Sequence, residues 1–142
     1  MLKHTTETLA AKNPKTLFMV DCVGALLSAS LLTLVVAEHQ QIFGIPRNTV
    51  YLLAMFPCLF AVYDLNCIAS NRLNVVPFLK AIAIMNVCYC IFSLIVSLNR
   101  YSEHTILGWI FILAEITIVS ILAKIEFDVA KMLGKSTGES GR

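Results

Sequence analysis

The chain has 142 residues, of which 58% are hydrophobic and 14% are charged, and its formal net charge is +2. Soluble domains are typically about 45–50% apolar and about 25% charged, so both values favour a membrane protein. The basic residues form no long run, and the sequence therefore gives no indication of nucleic-acid binding. Four apolar stretches of about 20 residues are more than a chain of this length can shield from water in a soluble fold.

The four apolar stretches predict an all-α, polytopic membrane protein, an antiparallel bundle of four transmembrane helices. Residues 1–16 are polar, and we expect them to form a cytoplasmic tail. The predicted membrane domain covers residues 17–127, with helices at about 17–37, 49–69, 75–98 and 105–127. Residues 128–142 are predicted to be a polar tail, because their final part lacks apolar side chains. The short connections between the helices favour antiparallel neighbours.

Two features of the first two predicted helices concern packing. Gly24 and Ser28 in the first helix are small residues four positions apart, a spacing that lets helices approach closely in lipid. Asp21 lies one turn earlier on the same face, so we expect this face to point into the bundle. Pro57, in the middle of the second helix, predicts a kink.

The distribution of lysine and arginine predicts the orientation of the chain in the membrane. If the N-terminus is inside, eight basic residues outside the helix centres lie on the inner side: Lys3, Lys12, Lys15, Arg72, Lys124, Lys131, Lys135 and Arg142. Only Arg47 and Arg100 lie on the outer side. This bias predicts that both termini are cytoplasmic.

Five polar residues inside the apolar stretches are the candidate functional residues: Asp21, Asp64, Lys80, Asn86 and Glu115. At about 1.5 Å per residue, the first three lie roughly 6–8 Å from the inner helix ends. Asn86 and Glu115 lie deeper, at roughly 16–18 Å. The third apolar stretch, which carries both the lysine and the asparagine, would organise the bundle.

These residues allow two interpretations. In the packing interpretation, Lys80 pairs with Asp21 or Asp64, and Asn86 hydrogen-bonds to Glu115, which stabilises the bundle. In the carrier interpretation, the same residues line a polar cavity and Glu115 binds a proton or a ligand. Lys80 is near a helix end, so its ammonium can instead extend to the membrane surface.

No cofactor or metal site is predicted. The five cysteines have no spacing typical of a disulfide framework or a metal site, and we interpret them as small apolar residues. Glu38 with His39 and Glu103 with His104 form a weaker constellation, which can bind Zn²⁺ or Cu²⁺ only if the helices beside them adjoin. We expect these four to be solvated loop residues.

Several short motifs resemble those of a group of uncharacterised bacterial four-helix integral membrane proteins. The resemblance covers about residues 17–127 and is carried by DxxGAxxS (Asp21, Gly24, Ala25, Ser28), FGxP (Phe43, Gly44, Pro46), NxxYC (Asn86, Tyr89, Cys90) and Glu115. A weaker likeness, in size and helix number, links the chain to DoxX-like proteins and small multidrug-resistance transporters. The resemblance implies a bacterial membrane protein and brings no established activity.

The function expected from the sequence is therefore that of a non-enzymatic integral membrane protein of the bacterial inner membrane. Its partners are the lipid bilayer and, in the carrier interpretation, further copies of the chain, because four helices enclose little volume. The alternative function is a small proton-coupled transporter that uses Glu115. An intramembrane enzyme or redox protein rests only on tyrosine and cysteine residues near Asp64, and it is the least favoured class.

Overall fold

The computed structural model describes residues 13–70 and 74–139, with side chains as far as residue 135, and it contains no strand within these ranges. The all-α four-helix architecture is confirmed. The helices are α1 (Pro14–Leu31, which continues as a π-helical turn, Leu32–Val36), α2 (Gln40–Phe43), α3 (Arg47–Ala69), α4 (Val76–Asn99) and α5 (Ile106–Glu139). We call the end where α1 begins and α5 finishes the terminal end, and the opposite end the loop end.

The first helix begins three residues before the predicted boundary. Pro14 occupies its first turn, where a proline costs little because the first N–H groups of a helix have no intrahelical acceptor. Part of the predicted tail is thus helical, and residues 1–12 of that tail lie outside the described residues. Pro57 lies inside α3, which continues on both sides of it.

The last helix corrects the prediction of a polar tail from residue 128. Helix α5 does not end at Phe127 but continues to Glu139. Val129 and Ala130 are completely buried, and Gly134 lies against Val76 at the start of α4. The extension is helical because apolar residues at helical spacing find a partner in α4, which the composition of the final residues does not reveal.

The outer faces of the helices are those of a membrane protein. Four helical segments are long and apolar enough to span a bilayer: Pro14–Val36, Arg47–Ala69, Val76–Asn99 and Ile106–Lys135. Large apolar side chains point outward along all of them, for example Leu34, Val62, Ile95 and Ile118. Such contiguous apolar surface is unfavourable in water and favourable in lipid.

The four long helices pack as two pairs, α1 with α3 and α4 with α5. An aromatic cluster joins the pairs: the Tyr89 ring of α4 lies 5.9 Å from Phe56 and 6.0 Å from Phe60 of α3, measured between ring centroids. Phe56 also lies 5.0 Å from Phe92. Helices α1 and α5 make few direct contacts, so a seam separates them along the remaining side of the bundle.

At the loop end, α2 is held tightly against the start of α5. The backbone N–H of Thr105 donates to the Phe43 carbonyl at 3.2 Å, and the Thr105 hydroxyl donates to the Ile42 carbonyl at 2.6 Å. Gly44 has a φ of 68°, a left-handed conformation that favours glycine. A Cβ atom at Gly108 would collide with the Phe43 carbonyl, so the close approach of α2 to α5 requires a glycine there.

Candidate functional site

Glu115 lies at the middle of the seam between α1 and α5 and is only 8% exposed. Its Oε1 atom accepts hydrogen bonds from the Ser28 hydroxyl of α1 and from the Tyr89 hydroxyl of α4, the latter at 3.0 Å. Its Oε2 atom is buried and has no hydrogen-bond partner among the described residues. One carboxyl oxygen is therefore fixed by two donors while the other is left for a proton or a ligand.

Asn86 links two other carboxyl groups nearer the terminal end. Its Nδ2 atom donates to Oδ1 of Asp21 on α1 and to Oε2 of Glu126 on α5, both at 3.2 Å. The amide group has two N–H donors, and both are used. The predicted hydrogen bond between Asn86 and Glu115 is thus wrong, because the α4 amide points toward the terminal end rather than toward the level of Ser28.

Asp64 of α3 completes this group and is fully buried. The carboxyl groups of Asp21 and Glu126 are near enough to act on it electrostatically. No N–H or O–H group in the described part of the chain donates to either Asp64 oxygen. We call Asp21, Asp64, Asn86 and Glu126 the terminal-end cluster.

Lys80 does not take part in this cluster. Its side chain is exposed near the start of α4, and none of the ion pairs between described residues includes it. The predicted pairing of Lys80 with Asp21 or Asp64 is therefore wrong. The lysine lies one turn inside α4, and its long stem allows the ammonium to extend to the membrane surface at the terminal end, as the alternative in the sequence analysis expects.

A cavity of about 380 Å³ extends from Glu115 to the Asp21 and Asn86 side chains of the terminal-end cluster. Its polar wall residues are Asp21, Ser28, Asn86, Tyr89 and Glu115; apolar residues such as Phe60, Ile118 and Leu122 form most of the rest. Leu27 and Ile118 line it and are 60% and 66% exposed, so the cavity opens sideways through the seam. The volume lies in the range of small-molecule sites, which are typically apolar with a few placed polar groups.

The structure thus brings four of the five candidate residues around one cavity or its terminal end, and it adds Glu126, which the sequence analysis missed. Glu126 is 1% exposed. A signal was present: Glu126 follows Glu115 by eleven residues, which is about three helical turns and places both on one face. Lys124 and Asp128 stand two residues to either side of it in the sequence, a pattern that is also typical of a surface segment.

The residues considered for a metal site at the loop end are not brought together as ligands. Glu38 pairs with Arg47 at 3.3 Å, and Glu103 pairs with Arg100 at 3.1 Å. The His104 ring lies 5.5 Å from the Trp109 ring. Within residues 13–70 and 74–139, no group of three His, Cys, Asp or Glu side chains is arranged to hold a metal ion.

Together, these features define an integral membrane protein with a lipid-facing cavity and four buried carboxyl groups at or beneath its wall. Comparison of the chain with protein-family models, with curated proteins and with solved structures finds no match. The resemblance to uncharacterised bacterial four-helix membrane proteins therefore stays a prediction.

Proposed function

We propose that this protein is a small proton-coupled carrier that takes amphipathic molecules from the bilayer into the cavity between α1 and α5. Glu115 is the group that binds either the ligand or a proton. The observation that carries the proposal is the position of the unpartnered Glu115 Oε2 atom: it belongs to a buried carboxyl group in the wall of a mostly apolar cavity. A carboxyl group in such a place is costly to leave charged without a partner.

The exchange of a proton for a positively charged ligand follows from the chemistry of the Glu115 carboxyl group. Ser28 and Tyr89 hold Oε1 in place, so the orientation of the group does not depend on the ligand. When the cavity is empty, a proton on Glu115 removes the cost of a buried charge. When a ligand with a positive group enters through the seam, it replaces the proton, which leaves for the aqueous side. The proposal assigns no enzymatic activity.

We further propose that the protein lies in a bacterial inner membrane with both termini in the cytoplasm, so that the terminal end of the bundle faces inward. Support comes from the excess of lysine and arginine at that end. A green fluorescent protein fused to the C-terminus should fluoresce, and alkaline phosphatase fused there should be inactive. Active alkaline phosphatase at the C-terminus would reverse the orientation.

The carrier proposal is tested by uptake of octyltrimethylammonium, a membrane-impermeant amphipathic cation, into liposomes that contain the purified protein. With a proton gradient directed outward, the wild type should accumulate the cation, and a protonophore should abolish the accumulation. Glu115→Gln keeps the size of the side chain and should lower uptake at least tenfold. Glu38→Gln is the matched control, because Glu38 is an exposed loop residue far from the cavity, and it should behave as the wild type.

Two results would overturn the carrier proposal: uptake by the wild type no faster than by empty liposomes, or unchanged uptake by Glu115→Gln. In either case the second candidate function remains, a structural or interaction protein whose polar residues serve packing. The observation that favours this alternative is the link that Asn86 makes between α1 and α5. Packing alone predicts that Glu115→Gln changes stability or abundance and no transport rate.

A further inference from the structure

The cavity has a carboxyl group at each end. Glu115 marks one end, because its Oε1 atom is held at the level of Ser28. Asp21 marks the other end and also lines the cavity. Asp21 and Ser28 are seven residues apart on α1, which at 1.5 Å per residue places the two acidic ends roughly 10 Å apart along the helix axis.

At both ends of the cavity, the described residues supply fewer hydrogen-bond donors and cations than the carboxyl groups need. Oε2 of Glu115 and Oδ2 of Asp21 are buried and have no hydrogen-bond partner among the described residues. Behind Asp21 lie the Asp64 and Glu126 carboxyl groups, and among the described residues the Asn86 amide donates to Asp21 and Glu126 while no group donates to Asp64. The described ion pairs are both at the loop end and include none of these carboxyl groups. Buried charge of one sign needs protons or a bound cation.

The wall between the two ends is apolar. Gly24 and Ala25 of α1, Ile118 and Leu122 of α5, and Phe60 of α3 line the cavity. A positive group midway along the ligand would lie against these side chains without a partner, which is unfavourable. An alkyl chain is the fitting complement, and in an extended α,ω-diamine of seven or eight carbons the two nitrogens lie roughly 10–11 Å apart.

We propose that the ligand of this cavity is an α,ω-diamine, an apolar chain with one ammonium group at each end. One ammonium binds Glu115 and the other binds Asp21, where charge-assisted hydrogen bonds to the carboxylates replace the missing donors. This inference rests on the proposed carrier function and names its substrate class. An organic diammonium fits better than a metal ion, because the described residues include no set of three side chains arranged to ligate one.

The test is a titration calorimetry series with the full-length protein in lipid nanodiscs and empty nanodiscs as the blank. The probes are α,ω-diaminoalkanes of four, six, eight, ten and twelve carbons, with octylamine as the monoamine reference. We expect affinity to be highest at eight carbons and at least tenfold higher for octane-1,8-diamine than for octylamine. A flat length series, or equal affinity for the monoamine and the diamine, would overturn the inference.

Three variants test the two ends of the cavity and its apolar wall one at a time. Asp21→Asn should remove most of the diamine advantage while octylamine still binds, and Glu115→Gln should weaken both ligands. Gly24→Val should weaken the long diamines by filling the middle of the cavity, and it is compatible with folding because a Cβ at Gly24 meets nothing within 4 Å. Each variant is checked for folding by circular dichroism and size-exclusion chromatography, and Ser93→Ala, which does not line the cavity, should bind as the wild type.

The outcomes also separate this inference from the carrier proposal. If octyltrimethylammonium uptake depends on Glu115 but the diamines show no length optimum, the carrier function stands and the diamine inference fails. If neither class of cation binds, both fail. A lipid molecule retained in the seam, or a dimer that closes it, detected by native mass spectrometry together with unsaturable amine binding, would also overturn the diamine inference.

Discussion

Replacement of Asn86 by leucine should destabilise the bundle by about 2 kcal/mol. The two side chains have the same number of heavy atoms and the same branching, so the main change is the loss of the two hydrogen bonds to Asp21 and Glu126, both 3.2 Å long. Hydrogen bonds between helices in membranes contribute about 0.6–2 kcal/mol each. After the substitution, the two acceptor oxygens stay buried without a donor, which adds to the loss of stability. The expected loss of about 2 kcal/mol therefore equals the upper end of the range for one hydrogen bond and lies inside the range for two.

The assay is the equilibrium unfolding of the purified protein in mixed micelles with increasing dodecyl sulfate, followed by circular dichroism. Ser93→Ala is the matched control on the same helix, because the Ser93 hydroxyl is buried and has no hydrogen-bond partner among the described residues. The control should change the free energy of unfolding by less than about 0.5 kcal/mol. If Asn86→Leu were no more destabilising than Ser93→Ala, the bridging role of the amide would be refuted.

Three further substitutions, one of them with a matched control, test separate parts of the fold. Gly108→Ala should destabilise the protein by about 1–3 kcal/mol, because the new methyl group would collide with the carbonyl of α2, whereas Gly24→Ala should be nearly neutral because it faces open space. Val129→Ala should cost about 1.5 kcal/mol, since two buried methyl groups are removed from the extension of α5. Tyr89→Phe should cost about 1 kcal/mol through loss of the hydroxyl that donates to Glu115, while the ring packing is kept.

The same unfolding assay measures all three. Equal stability of Gly108→Ala and Gly24→Ala would contradict the close approach of α2 to α5. A neutral Val129→Ala would show that α5 does not pack on α4 beyond the predicted boundary. A Tyr89→Phe variant as stable as the wild type would mean that the hydroxyl contributes no net hydrogen bond to Glu115.

The number of membrane helices and their approximate positions could be predicted from the sequence, because the requirement behind them is local. A segment in lipid has to satisfy its backbone hydrogen bonds within itself, so about 20 consecutive apolar residues predict a helix whatever surrounds it. The fold class is therefore decided by composition and length along the chain. The different directions of Cys88 and Cys90, exposed and buried, also follow from helical geometry alone.

The face of α1 that points into the bundle also follows from local spacing. Asp21, Gly24 and Ser28 share one side of that helix, and all three line the cavity. The predicted close packing of this face against a neighbour is absent at Gly24, where a Cβ would meet nothing within 4 Å. The small residues therefore leave space for the cavity at the seam rather than bringing two backbones together.

Which polar groups meet was decided only by the tertiary structure. Spacing within a helix fixes which residues share a face of that helix, but the rotation and the axial offset of one helix against another depend on the packing of all four. The packing interpretation therefore pairs Asn86 with Glu115, although Asn86 binds Asp21 and Glu126. The sequence leaves Lys80 open between a buried pair and the surface, and the structure shows its side chain exposed.

The length of α5 depends on the same kind of long-range contact. The residues after Phe127 are polar enough to be read as a tail, and they are held in a helix because Val129 and Ala130 are buried in the packed bundle. The sequence by itself thus determined four spans and a set of buried acids. The tertiary structure decided their partners, the cavity between α1 and α5 and the end of the last helix, because each depends on contacts between residues far apart in the chain.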